Sequence, residues 1–367
     1  LIGPATATEQ PSLKIIYSLN KKGFEADYWE REIPAASGGR YQFIPFNHDP
    51  YLNTRLYQRA QLLDDLFFEK HPGLMRMYAD LEARIHQTRA DVLLVDNCFP
   101  YHPEFLRRLK IYKVLRTTDG PICAYDRDFP YIHAYHHVFY HSPAYSSDLD
   151  MRQKLEYLGA RNVDFWPLGL FDKLHDPSQT AETIMSRERD IDVIFIGALH
   201  WGKMPLLAKV KKALGGRRFR LFGAVGWKRN LYFNWKFGFP GWISSIPFEQ
   251  YVPLYQRSKI GINVHNRGDF TVGSYRLFDL PGNGVLQISD GGKFLDEFFE
   301  VDKEIVGYRN ADDLIDKILY YLENEAARRT IALNGFQRVM RDYRIGDLLH
   351  KAGDLIGRGM ERIGWRG

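Results

Sequence analysis

The segment Ser258–Phe299 reads SKIGINVHNRGDFTVGSYRLFDLPGNGVLQISDGGKFLDEFF. Its first apolar run, Ile260 to Val264, is short and bounded by polar residues, the pattern of a strand buried on both faces of a parallel sheet. A polar, glycine-bearing loop follows from His265 to Gly273. Ser274 to Leu280 predicts a short helix stopped by the Pro281-Gly282-Asn283-Gly284 cluster, and Val285 to Ser289 predicts the next strand. The carboxyl end of a strand, a loop and the amino end of a helix therefore lie together. In an open α/β sheet that is where ligands bind, because backbone N–H groups and the helix dipole there favour anions. Arg276 adds a permanently charged, bidentate grip on a phosphate, and Asp279, three residues on, shares its helix face and can accept from a sugar hydroxyl. The segment predicts a site for a phosphorylated, hydroxyl-rich ligand.

Strand–helix alternation surrounds this segment. Upstream, Ile191 to Ile196 (IDVIFI) predicts a buried strand, Gly197 to Lys203 its exit loop, and Leu206, Leu207, Val210 and Leu214 the apolar stripe of a helix. Phe219 to Phe222 is a further strand, Lys228 to Trp242 reads as irregular, basic and aromatic, and Val252, Leu254 and Tyr255 lie on a helix feeding the segment. Downstream, Glu304 to Tyr308 reads as an edge strand and Asn310 as the N-cap of a helix striped by Leu314, Ile315, Ile318, Leu319 and Leu322. Two more helices, from about Glu325 to Met340 and from Ile345 onward, end the chain.

The first half repeats the alternation. Candidate strands are Leu13 to Ser18, Tyr41 to Phe46, Asp91 to Asp96, Tyr112 to Arg116 and His136 to Tyr140. Helical stripes run from Leu52 to Phe67, from Leu74 to Ile85 beyond the break at His71-Pro72-Gly73, from Pro103 to Leu109, and from about Asp148 to a glycine stop at Gly159. The expected class is α/β with two doubly wound, Rossmann-like domains: residues 1–170, residues 171–345, and a terminal helix, 346–367, that can lie back on the first.

A chain of 367 residues is long enough for two cores. Its 50 Lys and Arg against 45 Asp and Glu give a charge of +5, which suits a small anionic ligand and argues against nucleic acid as the main partner. Cys98 and Cys123 lack disulfide-framework or metal-site spacing, so the expected setting is the cytoplasm. No apolar run reaches the ~18 residues of a membrane span, and the opening LIGPATATEQPS reads as a leader or a trimmed end rather than a signal peptide.

The strings DIDVIFIGALHWGKMPLL, RLFGAVGW, YQRSKIGINVHN, SYRLFDLPGNGVLQIS and EIVGYRNADDLIDKILYYLENEAARRTIALNGFQRV, in that order from about Asp190 to Tyr343, resemble the GT-B glycosyltransferases of the CgeB spore-protein type. The likeness is weaker in the first half, although LEYLGARNVDFWPLGL resembles that family's passage between domains. The resemblance implies two domains across a cleft, a nucleotide-diphosphate sugar held by the second and an acceptor hydroxyl held by the first. It places Arg276 on the diphosphate, Asp279 where relatives carry a ribose-binding Glu, the loop Gly197 to Lys203 against the diphosphate or sugar, and Ser244 to Ile246, with Ser245, at the base. The acid that many retaining relatives carry eight residues before the ribose ligand is replaced by Thr271, with Asp269 the nearest carboxylate.

Glycosyl transfer requires stabilisation of charge developing on the leaving diphosphate, and Arg276 and Lys203 are the candidate cations. His265 and Asn266, ending a strand, are candidates to touch the donor, and a structural histidine is the alternative. An inverting reaction needs a base at the acceptor, for which Asp119 and His102 stand after first-domain strands; Asp119 can equally form an Asp-Gly-Pro turn, and His102 can cap its helix. No metal-ligand pattern stands at a suitable loop end, so no metal and no cofactor beyond the donor are expected. The stretch Gly226 to Trp242 is open to three readings, an acceptor platform, a peripheral membrane contact or a single-strand stack, beside the plainer one of rings packed under a loop. The leading expectation is a glycosyltransferase acting on a glycan, lipid-linked glycan or small molecule. A non-catalytic nucleotide-sugar-binding module and a DNA-base glycosyltransferase are the alternatives.

Overall fold

The computed structural model describes residues 13–19, 24–52, 59–117, 121–146, 149–239, 242–265 and 273–365. It divides into two units. The first comprises residues up to 142, 149–167 and 346–367; the second comprises 143–148 and 168–345.

The first unit holds β1 (Leu13–Leu19), α1 (Phe24–Ala35), β2 (Tyr41–Asn47), α2 (Ala60–Phe68), α3 (Pro72–Thr88), β3 (Val92–Asp96), α4 (Pro103–Arg108), β4 (Tyr112–Thr117), α5 (Pro121–Arg127), β5 (His137–Tyr140), α6 (Met151–Tyr157) and β6 (Val163–Phe165). Its strands pair in parallel in the order β2-β1-β3-β4-β5-β6. Every residue of β3 and β4 is buried, as expected of central parallel strands covered by helices on both faces. Helix α6 stops at Gly159, whose φ of +90° is open to glycine at no steric cost.

The second unit holds α7 (Ala181–Ser186), β7 (Ile191–Ile196), α8 (Met204–Leu214), β8 (Phe219–Phe222), α9 (Trp227–Phe237), α10 (Tyr251–Gln256), β9 (Ser258–Asn263), α11 (Arg276–Gly282), β10 (Leu286–Ser289), β11 (Val306–Gly307), α12 (Ala311–Glu323) and α13 (Glu325–Asp342). The sheet is again parallel, ordered β11-β10-β9-β7-β8. Asn310 caps α12, its side chain accepting from the N–H groups of Asp312 and Asp313. Gly261 in β9 lets α11 approach closely: a Cβ there would lie 2.4 Å from Leu280 Cδ2. The last helix, α14 (Ile345–Arg362), runs into the first unit, where Leu348 O accepts from Trp166 Nε1 at 2.8 Å.

Several expectations need correction. The stretch from Lys228, read as irregular, opens in the helix α9 (to Phe237), where large apolar residues stand on the outer face as well as the inner one and so blur the period. Helices α1, α5 and α7 were not anticipated; α1 carries charges and Pro34, which conceal its stripe. Helix α11 continues to Gly282 instead of ending at Leu280. Pro281 has no N–H to give Leu277 O, four residues back, and Gln287 Nε2 donates to that carbonyl instead, at 3.3 Å. Of the stripe placed from Leu52 onward, residues 53–58 lie outside the described residues.

Candidate functional site

The second sheet is built outward from its middle in both directions: from β7 the chain adds β8 on one side, then crosses back to add β9, β10 and β11 on the other. β7 and β9 are adjacent parallel strands from which the chain continues toward opposite edges of the sheet, β7 to β8 and β9 to β10, and in open α/β sheets ligands bind in the crevice outside the carboxyl ends at such a switch point. The backbone there is Ile196-Gly197 after β7 and Val264-His265 after β9.

Arg276, the first residue of α11, spans both strand ends. Its Nη1 donates to Ile196 O at 3.1 Å and its Nε to Asn263 Oδ1 at 3.3 Å, while the guanidinium carbon sits 4.8 Å from the centre of the Phe195 ring. Gly197 is the residue this geometry requires, since a Cβ there would lie 2.4 Å from Arg276 Nη1. Lys203, the N-cap of α8, is buried, and its Nζ lies 5.9 Å from the same ring. Burial, then the charge of Arg276, push the Lys203 ammonium down to about 8, with Asp290 opposing them. Neither cation has an ion-pair partner among the described residues. No salt bridge joins Arg276 to Asp279, one turn further along the same helix. Two cations against one ring, both drawn partly out of water, repel each other and favour an anion between them.

The nearest carboxylate is already engaged. Asp290, after β10, accepts from His265 N at 2.9 and 3.0 Å and pairs with His265 Nδ1 at 2.6 Å. This fixes the imidazole and leaves its buried Nε2 with no partner among the described residues. Asn263 Nδ2 is buried and unpartnered in the same way. Asp279, one turn into α11, is 4% exposed with Oδ1 unpartnered, and burial raises its carboxyl to about 8 despite the opposing charge of Arg276. Tyr255, buried beside it, is raised well above the ordinary phenol value by burial and then by Asp279. The crevice thus brings together unneutralised cations and buried polar atoms that lack partners, features a phosphorylated polyol can satisfy.

A second basic region shows what this one lacks. At the amino ends of the same strands a cavity of about 350 Å³ is lined by Arg187, Arg189, Lys259, Arg328 and Arg329. There Lys259 pairs with Asp192 at 2.6 Å, Arg187 with Asp176 at 3.7 Å and Arg329 with Glu325, while Arg189 donates to Tyr255 O and Ser258 O at 2.8 Å. Its charges are met from within the fold.

The remaining anticipated residues fall elsewhere. Ser245 is exposed in the loop tied to the crevice by Gly223 N donating to Ser244 O at 3.0 Å, and Gly223 in turn abuts Gly197. His102 caps α4 in the first unit: Nδ1 accepts from Glu104 N at 3.2 Å, Nε2 meets Asp64 Oδ1 at 3.0 Å, and the ring stacks on Phe67. In that arrangement both ring nitrogens are occupied, and burial lowers the imidazole's affinity for a proton. Asp119, Asn266, Asp269 and Thr271 lie outside the described residues. Phe195, Asn263, Tyr255 and Asp290 were not foreseen. Asp290 carried the signal, an acid directly after a buried strand; the others are recognisable only once β7 and β9 are paired.

A family model described as "Glycosyl transferase-like" matches residues 203–351, less than half of the chain. No curated protein matches the sequence. Among solved structures, the chain is similar to a sucrose-phosphate synthase from Thermosynechococcus elongatus, with 14% identity over 94% of this chain and 98% of that one and a TM-score of 0.63. It is similar to Anabaena HepE in complex with UDP-glucose, with 11% identity over 94% and 100% and a TM-score of 0.62. It is also similar to an alpha-glucosyltransferase in complex with UDP-glucose and DNA containing an abasic site, with 10% identity over 94% and 99% and a TM-score of 0.61. These likenesses establish the fold: mixed α/β with two parallel sheets, as in GT-B glycosyltransferases.

Proposed function

We propose that this chain transfers a sugar from a nucleoside-diphosphate sugar to a hydroxyl acceptor. The observation that carries the reading is the pair of unneutralised cations, Arg276 and Lys203, at the crevice where β7 and β9 diverge. The glycosyl transferase-like match over 203–351, the UDP-sugar ligands of two proteins sharing the fold, and the CgeB-type resemblance support it.

In this reading the diphosphate lies on Arg276, Lys203 and the backbone after Gly197. As the glycosidic C–O bond breaks, negative charge grows on the leaving phosphate oxygen, and two cations already in place stabilise it without reorganisation. Asp279 receives the ribose hydroxyls, ionising as they donate to it. Asn263 Nδ2 and His265 Nε2 serve the phosphate or the donor sugar, Asn266 remains a candidate for the same role from its place in the sequence, and the loop at Ser245 borders the base. Asp119 remains a candidate base for the acceptor hydroxyl, and Asp269 the candidate carboxylate for the donor sugar. The acceptor is a carbohydrate or another hydroxyl compound.

Titration calorimetry with UDP, GDP and TDP sugars tests the reading. One of them is expected to bind, and Arg276→Ala to weaken it by about 1.5–3 kcal/mol, the loss of a charged hydrogen bond. A folded protein that binds none of them would overturn the assignment. Binding without transfer or hydrolysis across a panel of acceptors would instead favour a nucleotide-sugar-binding module.

A further inference from the structure

Charge is distributed unevenly along this chain. The 56 residues from Val193 to Phe248 contain ten Lys and Arg and no Asp or Glu, so the rest of the chain carries 40 basic residues against all 45 acidic ones. A protein that is mildly basic as a whole is therefore net acidic outside one strongly basic stretch. The same stretch contains four of the seven tryptophans, Trp201, Trp227, Trp235 and Trp242, each more than half exposed.

Helix α9 organises this surface. Asn230 and Phe233 face inward, where Asn230 Nδ2 donates to Ile243 O at 2.9 Å and its Oδ1 accepts from Ile243 N at 3.0 Å. On the outside, Trp227, Leu231 and Trp235 recur every fourth residue and are 61%, 55% and 82% exposed. Four-residue spacing puts them on one stripe about 12 Å long. Lys228 and Lys236 flank it, both exposed, and Arg229 lies over the Trp201 ring. Beside the stripe, between α8 and α9, Lys209, Lys211, Lys212 and Lys236 surround an open depression of about 570 Å³. A helix held in the fold by one face, with an apolar outer stripe bordered by cations alone, has the composition of an interfacial helix.

We propose that the outer face of α9 docks on an anionic lipid bilayer, with Trp227, Leu231 and Trp235 entering the headgroup boundary and the lysines of α8 and α9 meeting lipid phosphates. Charge complementarity fixes the occupant. An acidic protein patch would meet the lysines but not the indole–leucyl–indole stripe, and a nucleic-acid strand needs stacking surfaces where Leu231 offers an aliphatic one. Indole rings at the ends of an apolar stripe, with cations beside them, suit the interface between headgroups and acyl chains. Trp201 belongs to the loop from Gly197 to Lys203, so the docked face is continuous with the donor crevice. No helix among the described residues is long and apolar enough to cross a membrane, and the contact proposed lies in the plane of the bilayer.

The test is co-sedimentation of the full chain with phosphatidylcholine vesicles and with vesicles containing phosphatidylglycerol, at low and high salt. Binding to the anionic vesicles only, weakened by salt, is expected. A Trp227→Ala, Leu231→Ala, Trp235→Ala triple variant is expected to lose at least about tenfold in partitioning, and Lys228→Glu with Lys236→Glu to lose binding to anionic vesicles. Circular dichroism and the wild-type urea midpoint check that both variants fold. A single-stranded oligonucleotide serves as the competing partner. Equal partitioning of the triple variant, no preference for anionic vesicles, or tighter binding of the oligonucleotide than of vesicles would each overturn the proposal.

Discussion

Replacing Asp279 by asparagine is expected to stabilise the second unit near neutral pH while weakening nucleotide binding. The carboxyl is 4% exposed, has an unpartnered oxygen and titrates near 8 in the fold, against 3.8 for an ordinary aspartate. Between those values the unfolded chain has released a proton that the folded chain keeps. Raising the pH therefore favours unfolding, by about 1.4 kcal/mol per pH unit, with the loss complete once the folded group also ionises near pH 8. Over the whole window this sums to an upper bound of roughly 6 kcal/mol. Asparagine fills the same space, stays neutral and removes that dependence, at a cost of about 1 kcal/mol for a buried amide lacking full hydrogen bonding. Urea unfolding of both proteins at pH 5, 6, 7 and 8, followed on the transition of the second unit, measures the difference. The variant's advantage should grow steadily with pH and level off above 8. A difference independent of pH would refute the neutral buried carboxyl and with it the role given to Asp279. Such a trade of stability for a binding function is what a ligand site imposes on a core position.

Nucleotide affinity itself should follow a bell centred near pH 8. It rises with pH as Asp279 loses its proton more readily and falls above 8 as Lys203 loses its charge, and Lys203→Arg should flatten the alkaline limb alone. Calorimetry in buffers of different ionisation enthalpy should show proton release on binding at pH 7. Gly197→Ala should weaken binding by displacing the Arg276 guanidinium, and should do little once Arg276 is already alanine; in a double-mutant cycle the coupling should reach about 1 kcal/mol or more. Additive effects would separate the glycine from the arginine.

The strands were legible because apolar runs such as Ile191–Ile196, bounded by turn residues, have few other readings. Arg276 and the loop at Gly197 followed from where such strands end. Helix α9 was not legible, because Trp227, Leu231 and Trp235 outside and Phe233 and Phe237 inside put large apolar residues on opposite faces and blur the period. The partners of the site were hidden for a different reason. Asn263, at the end of β9, meets Arg276, at the start of α11, and Asp290 reaches His265 across the pairing of β9 with β10, so neither contact follows from local spacing. In the sequence, glycine at 197 reads as a loop residue; that it makes room for a guanidinium shows only when α11 is set against β7.

Helix α14 begins in the second unit and continues into the first, where Gly353 lies beneath the Tyr41 ring and Gly359 against His137. The second unit is nearly continuous in sequence, so it has almost all its residues once the ribosome has passed Ile345. The first unit, though begun earlier, lacks one covering helix until α14 has followed. The order of completion during synthesis is expected to run against the order of the sequence, with the earlier-made sheet uncovered while the later one closes.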